Sequence, residues 1–157
     1  MAINKKLNKI TQRIISRSKD TRLAYLKKIE RAQKDGPNRA HLGCGNQAHA
    51  YAAMGNDKSS LLKERSPNIG IISAYNDMLS AHQPFETYPG QIKAAARKFG
   101  ATAQFAAGVP AMCDGVTQGQ SGMELSLFSR ETIALSAAIG LSHNTFDAVI
   151  FLGVCDK

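Results

Sequence analysis

The sequence predicts an α/β domain, a mainly parallel sheet flanked by helices and preceded by an N-terminal helical segment. Three observations predict it. From residue 68 onward, short β-like runs alternate with longer helical ones. Before that point apolar residues recur at helical spacing. The charge is also divided: residues 1–65 hold 15 Lys and Arg against 5 Asp and Glu, whereas residues 66–157 hold 5 against 7. The expected division is therefore 1–65, a basic helical segment, and 66–157, the α/β part.

In the first segment Leu7, Ile10 and Ile14 share one helical face, and Leu23, Leu26 and Ile29 continue the pattern beyond the polar break Ser18-Lys19-Asp20. Two helices, or one kinked helix, should end at Gly36-Pro37. The stretch 38–55 (NRAHLGCGNQAHAYAAMG) fits neither period well, and a short helix should follow at 58–65. In the second segment the expected strands are 69–74, 102–106 and 148–153, the last (AVIFLG) a run of the buried type. Helices are expected at 88–99, closed by Gly100, and at 122–141.

Composition narrows the function classes. The 157 residues carry a formal charge of +8, 43% hydrophobic residues and three Cys. That is enough chain for a core of its own. No apolar run approaches the roughly 18 residues of a membrane span, and the N-terminus lacks the apolar core of a secretory signal. No membrane partner is expected, and the location should be cytoplasmic. Cys44, Cys113 and Cys155 are odd in number and far apart, so in a reducing compartment they are free thiols or metal ligands rather than a disulfide framework. A basic arm can contact nucleic acid, but Lys and Arg on solvated helix faces account for the same charge. No nucleic-acid partner is expected.

Ligand sites in parallel sheets gather at the carboxyl ends of strands, and three polar clusters fall there. The first is 73–77 (SAYND) running on through Ser80, His82 and Pro84, which turn chemistry alone would explain. The second is 108–123 (GVPAMCDGVTQGQSGM), a thiol and a carboxylate in a glycine-rich loop leading into a helix. Such a loop can converge on an anion or a hard cation, or its glycines can simply serve tight turns. The third is Cys155-Asp156-Lys157. Thiolate suits iron and carboxylate suits Mg²⁺, so the two neighbours can serve different metals, although a lone Cys at a strand end is often merely buried.

The strings SAYNDMLSAHQP, GVPAMCDGVTQGQSGMELSLFSRE and FLGVCDK, in this order and spacing, closely resemble the N-terminal portion of the dihydroxy-acid and sugar-acid dehydratase family. TQRII, TRLAYL and CGNQAH look like its phosphogluconate branch, so the resemblance covers nearly the whole chain. It implies dehydration of 6-phosphogluconate to 2-keto-3-deoxy-6-phosphogluconate in the Entner-Doudoroff pathway. The implied cofactors are a [4Fe-4S] cluster and Mg²⁺ or Mn²⁺, the implied partner is a phosphorylated sugar acid, and the full-length enzyme is expected to be a homo-oligomer. Other sugar-acid or dihydroxy-acid dehydratases are the alternative within the family; outside it, the alternative is a basic nucleic-acid-binding module.

Carried over by motif, Cys155 matches the cluster-ligating cysteine, and Asp114 and Asp156 match the Mg²⁺ ligands. Lys157 matches a lysine that is carbamylated and metal-bound in some relatives. His82 looks like an active-site residue that orients substrate. Dihydroxy-acid and [2Fe-2S] sugar-acid relatives carry a cluster cysteine in the loop where this sequence reads Leu79-Ser80-Ala81-His82. Cys113, beside Asp114, is the first substitute for that ligand and Cys44 the second; the alternatives are a cluster held with fewer nearby thiols and, for either Cys equally, a packing role in apolar surroundings. Family members are several times longer, and another cluster cysteine and the proposed proton-abstracting serine fall beyond residue 157. The chain therefore looks like an N-terminal fragment, an incomplete domain expected to expose apolar surface, to carry half a site and to have no turnover alone.

Overall fold

The computed structural model describes residues 3–36, 38–62 and 66–155; Asp156 and Lys157 lie outside the described residues, as do positions 63–65 of the helix expected at 58–65. The chain divides into two compact units, one ending at Pro37 and one beginning at Asn38.

The first unit is one uninterrupted helix, α1 (Lys5–Asp35), opened by Asn4, whose side chain accepts from the Lys6 N–H at 2.9 Å. The break expected at Ser18-Lys19-Asp20 is absent. The Ser18 hydroxyl turns back to the Ile14 carbonyl (2.8 Å) and that of Thr21 to the Ser18 carbonyl (2.9 Å). Polar residues that bond to their own helix do not end it. None of its described residues is buried, and Leu7, Ile10, Ile14, Leu23, Leu26 and Ile29 are all exposed.

The second unit opens with a 3₁₀ turn at Asn38–His41, then α2 (Cys44–Tyr51), a 3₁₀ stretch at Ala52–Asp57 and α3 (Lys58–Leu61). The stretch that fitted neither period is thus a chain of short helical pieces. The α/β part follows as β1 (Asn68–Ser73), α4 (Tyr88–Lys98), β2 (Thr102–Gly108), α5 (Asp114–Thr117), α6 (Phe128–Leu141) and β3 (Ala148–Leu152). The strands form one parallel sheet in the order β2-β1-β3. Central β1 buries Ile71 and Ile72 on opposite faces. Ile71 meets Ala96 and Ile92 of α4, while Ile72 meets Ala137, Ile133 and Leu141 of α6. The two helices therefore cover opposite faces of the sheet.

Two boundaries depart from expectation. The helix predicted over 122–141 is a 3₁₀ turn at Ser121–Leu125 followed by α6, which begins only at Phe128. β3, read as a buried-type strand, is largely exposed, with Phe151 at 58%. It sits at a sheet edge, and its apolar run reports a burial that the described residues do not supply. α4 ends as predicted. Gly100 is left-handed (φ 70°), and the Ala101 and Gly100 amides reach the Ala96 and Arg97 carbonyls at 3.0 and 3.2 Å, the paired bonds of a glycine-terminated helix.

A polar network fastens the amino edge of the sheet. Fully buried Asn68 donates through Nδ2 to Thr145 O (2.9 Å) and Gln104 Oε1 (2.8 Å), and accepts from the Thr102 hydroxyl (3.0 Å). The Asn68 amide donates to Asp147 (2.7 Å), whose carboxylate also pairs with buried Arg39 (2.9 Å). Gln104 further donates to the Ala50 carbonyl at 3.0 Å. Residues 38–51 are thereby tied to the sheet across the expected 65/66 division. Asn68→Ala strands buried partners at Thr145 and Thr102, and each such orphan costs about 1–3 kcal/mol. We expect a loss of roughly 3 kcal/mol in urea unfolding with an unchanged slope; a loss below about 0.5 kcal/mol would show that the network is idle.

Candidate active site at the carboxyl edge of the sheet

The order β2-β1-β3 makes a topological switch. The chain moves from β1 to one side, then returns to place β3 on the other, so the loops after β1 and β3 diverge and open a crevice. The three exits are level: Ser73 is in register with Gly108 on one side and Leu152 on the other. The Ala74 amide donates to Leu152 O (3.0 Å) and the Val109 amide to Ser73 O (2.9 Å), carrying the ladder one residue further. The first two polar clusters, and Cys155 of the third, leave from this edge.

The loop after β1 is set by its own side chains. Asn76 Oδ1 accepts from the Leu79 amide at 3.0 Å, and Ser73 Oγ accepts from the Tyr75 amide at 3.2 Å. His82 is buried at 3% exposure; its Nδ1 donates to the Ala74 carbonyl at 2.8 Å, while Nε2 is closed off without a partner. A ring held this way fixes the loop. Among the described residues neither ring nitrogen is open to solvent.

At the mouth, the partly exposed Tyr75 donates its hydroxyl to the Asp77 carboxylate. That bond, followed by partial desolvation and the charges of Asp77 and Glu86, pushes the phenol up to about 12. The raised value favours the neutral phenol in the fold. Its contribution is fully present below the ordinary phenol value of 10.0 and is lost as pH rises toward 12. Titration at 295 nm should show a late component that Tyr75→Phe removes and Asp77→Asn moves back toward 10.0. A wild-type curve without that component would refute the pairing.

The loop after β2 carries Cys113 and Asp114. Asp114 begins α5, and its Oδ1 accepts from the buried Ser126 hydroxyl at 2.8 Å. Cys113 is half-buried, and a Cβ built on Gly115 would sit 3.5 Å from its sulfur, so the thiol packs against that glycine backbone. The loop after β3 carries Cys155, exposed and left-handed at φ 65°, a conformation uncommon outside glycine. Cys113 and Cys155 are both free thiols.

Cys44 belongs elsewhere. It starts α2, in the segment that Arg39 anchors to Asp147 at the amino edge, and the six residues of β1 separate the two edges by about 20 Å. The edge thus gathers Cys113, Asp114 and Cys155 together with the His82 loop, and leaves Cys44 out. Soft thiols and a hard carboxylate on one edge fit the chemistry of an iron-sulfur cluster beside a divalent cation. Among the described residues, however, no three His, Cys, Asp or Glu side chains converge as a metal-binding group. Ser126 was missed in the sequence because twelve residues and no periodicity link it to Asp114; the SLFSRE string that contains it was the available signal.

Residues 66–157 match the family described as dihydroxy-acid/6-phosphogluconate dehydratase, N-terminal. The chain belongs to this dehydratase family. It is 59% identical over 158 residues to the phosphogluconate dehydratase of Rhizobium meliloti, covering 100% of this chain and 26% of that relative. It is 59% identical over 156 residues to that of Escherichia coli K12, covering 99% and 26%. To a dihydroxy-acid dehydratase of Akkermansia muciniphila it is 39% identical over 92 residues, covering 58% of this chain and 16% of the relative. The likeness to the phosphogluconate dehydratases therefore includes α1 and α2, whereas the dihydroxy-acid likeness is no longer than the family-matched stretch. The chain spans about a quarter of the length of the curated phosphogluconate dehydratases it matches. No helix among the described residues is long and apolar enough to cross a membrane.

Proposed function

We propose that the chain is the amino-terminal part of a hydro-lyase that converts 6-phospho-D-gluconate to 2-dehydro-3-deoxy-6-phosphogluconate in the Entner-Doudoroff pathway, acting in the cytoplasm as a homo-oligomer. The observation that carries this reading is the 59% identity to phosphogluconate dehydratases along essentially the whole chain, including the stretch before residue 66.

In this reading Cys155 and Cys113 hold the [4Fe-4S] cluster, and Asp114, with Asp156 and a carbamylated Lys157, holds Mg²⁺ or Mn²⁺. An unmodified ammonium has no lone pair to give a cation, so Lys157 needs that modification to ligate. When bound, the two metals supply Lewis acidity toward the departing hydroxyl and stabilise the negative charge that builds up as the C2 proton is lost. Ser126 orients the Asp114 carboxylate through its hydroxyl. His82 serves indirectly, holding Ala74 and with it the loop of Tyr75, Asn76 and Asp77 at the crevice mouth. The Tyr75 phenol stays neutral at physiological pH.

The test is a substrate comparison on anaerobically purified full-length protein, reading 2-keto-acid formation from 6-phosphogluconate, gluconate and a branched 2,3-dihydroxy acid. Preference for the phosphorylated aldonate by at least about 10²-fold in kcat/KM is expected, the discrimination a site built for a polar group can reach. Faster turnover of either unphosphorylated acid would reject this substrate assignment.

A further inference from the structure

Beyond a first turn that carries Arg130, Glu131 and Thr132, α6 presents apolar residues on two faces. Ile133, Ala137 and Leu141 turn inward onto Ile72 and Val109 of the sheet. On the opposite side Phe128, Leu135 and Ile139, spaced seven and four residues apart, form a second stripe with exposures of 69%, 63% and 59%. After Glu131 the helix has no charged residue. α4 shows what a solvent-facing helix of this fold looks like, since it buries Ala96 and ends in Arg97 and Lys98. A helix segment with large apolar side chains on both its inner and its outer side has the pattern of an interior helix.

The outer stripe continues into Leu125 and Leu127, exposed at 59% and 65%. Between these two lies Ser126, the hydrogen-bond partner of Asp114. Five large apolar side chains together expose on the order of several hundred Å², as much as the largest patch an ordinary monomer tolerates. This surface therefore adjoins the candidate site, whose described side chains do not complete a metal-binding group.

We propose that the outer face of α6, with Leu125 and Leu127, is an internal surface of the full-length protein, covered by the part of the same polypeptide that follows residue 157. The occupant is argued from length and place. Phosphogluconate dehydratases that match this chain along its length are about four times longer, and the matched family region is amino-terminal by description. The bulk of the polypeptide thus follows this region, and seating it on α6 brings further donors to the edge where Asp114 lies. The inference rests on family membership and not on the substrate proposed above, so failure of either leaves the other standing.

Full-length protein with the photocrosslinking residue p-benzoylphenylalanine at position 135, and separately at 139, tests it. After irradiation the adduct should keep single-chain mass, and peptide mapping should find it joined to residues after 157. An adduct of doubled mass, which would mean a second copy, or one joined to residues before 157, overturns the proposal. In case the bulky probe prevents folding, Leu135→Cys is compared with Lys98→Cys in maleimide labelling, with the unmodified protein's signal subtracted. Labelling at 135 slower by at least about 10-fold supports a covered face, because thiol modification follows access. Equal rates overturn it, as does protection that vanishes on dilution.

Discussion

Full-length protein carrying Cys155→Ser is expected to purify without the visible absorbance of an iron-sulfur cluster, with iron content at least halved and turnover lower by at least ~10²-fold, a loss on the scale of a deleted charge-stabilising group. The reason lies in ligand chemistry. A thiolate is a soft, readily ionised donor to iron, and a serine alkoxide is neither. The fold should not suffer, because Cys155 is exposed and its sulfur is a free thiol, and an exposed isosteric change costs within about ±0.5 kcal/mol. Circular dichroism should therefore stay that of the wild type while iron and activity fall together. Cys44→Ser is the matched control: the segment bearing Cys44 is anchored at the other edge of the sheet, so iron content and rate should be unchanged. A Cys155→Ser enzyme with full iron and normal turnover would remove Cys155 from the site. Loss of iron in Cys44→Ser would mean that the topology argument has excluded the wrong thiol.

Much of the α/β architecture is legible in the sequence, because its signals are local. β1, β2 and β3 begin or end within two residues of expectation, since a buried parallel strand reads as a short apolar run bounded by turn residues. α4 was closed by one glycine, and Gly100 does so in the left-handed conformation that only glycine adopts cheaply. The features that were not legible depend on what a side chain or a strand meets rather than on its residue type. Ser18 breaks the apolar pattern of α1 without breaking the helix, because its hydroxyl finds the Ile14 carbonyl. The AVIFLG run foretells burial of β3, and burial depends on what lies beside a strand; among the described residues β3 has a neighbouring strand on one side only. The candidate site shows the same division. Cys113, Asp114 and Cys155 are visible as residue types at strand ends. That their loops share one edge follows from the parallel pairing of the three strands, and that Cys44 lies elsewhere follows from the Arg39–Asp147 pair. For His82, sequence gives the residue's chemistry and not the direction of its ring, whose Nδ1 turns to the Ala74 carbonyl.

Asp114→Asn in the full-length enzyme should leave the cluster absorbance intact and lower the cation-dependent rate by at least ~10²-fold, the loss typical when a group stabilising transition-state charge is removed. The two metals separate because carboxylate oxygen is a ligand for a hard cation whereas the cluster is held by sulfur. The substitution suits the test because of Ser126. Its hydroxyl donates to Asp114 Oδ1 at 2.8 Å, and an asparagine carbonyl oxygen can accept the same bond, so the loop keeps its anchor while the charge disappears. Asp114→Ala would confound the two effects by also leaving the buried Ser126 hydroxyl without that acceptor. Ser126→Ala provides the complementary arm. It keeps the charge and removes the orienting bond, so the Mg²⁺ concentration for half-maximal rate should rise while the rate at saturating Mg²⁺ is largely restored. Iron content, absorbance and Mg²⁺ titrations of the three proteins distinguish the cases. Wild-type rate and wild-type Mg²⁺ dependence in Asp114→Asn would return Asp114 to a structural role, its carboxylate accepting from Ser126.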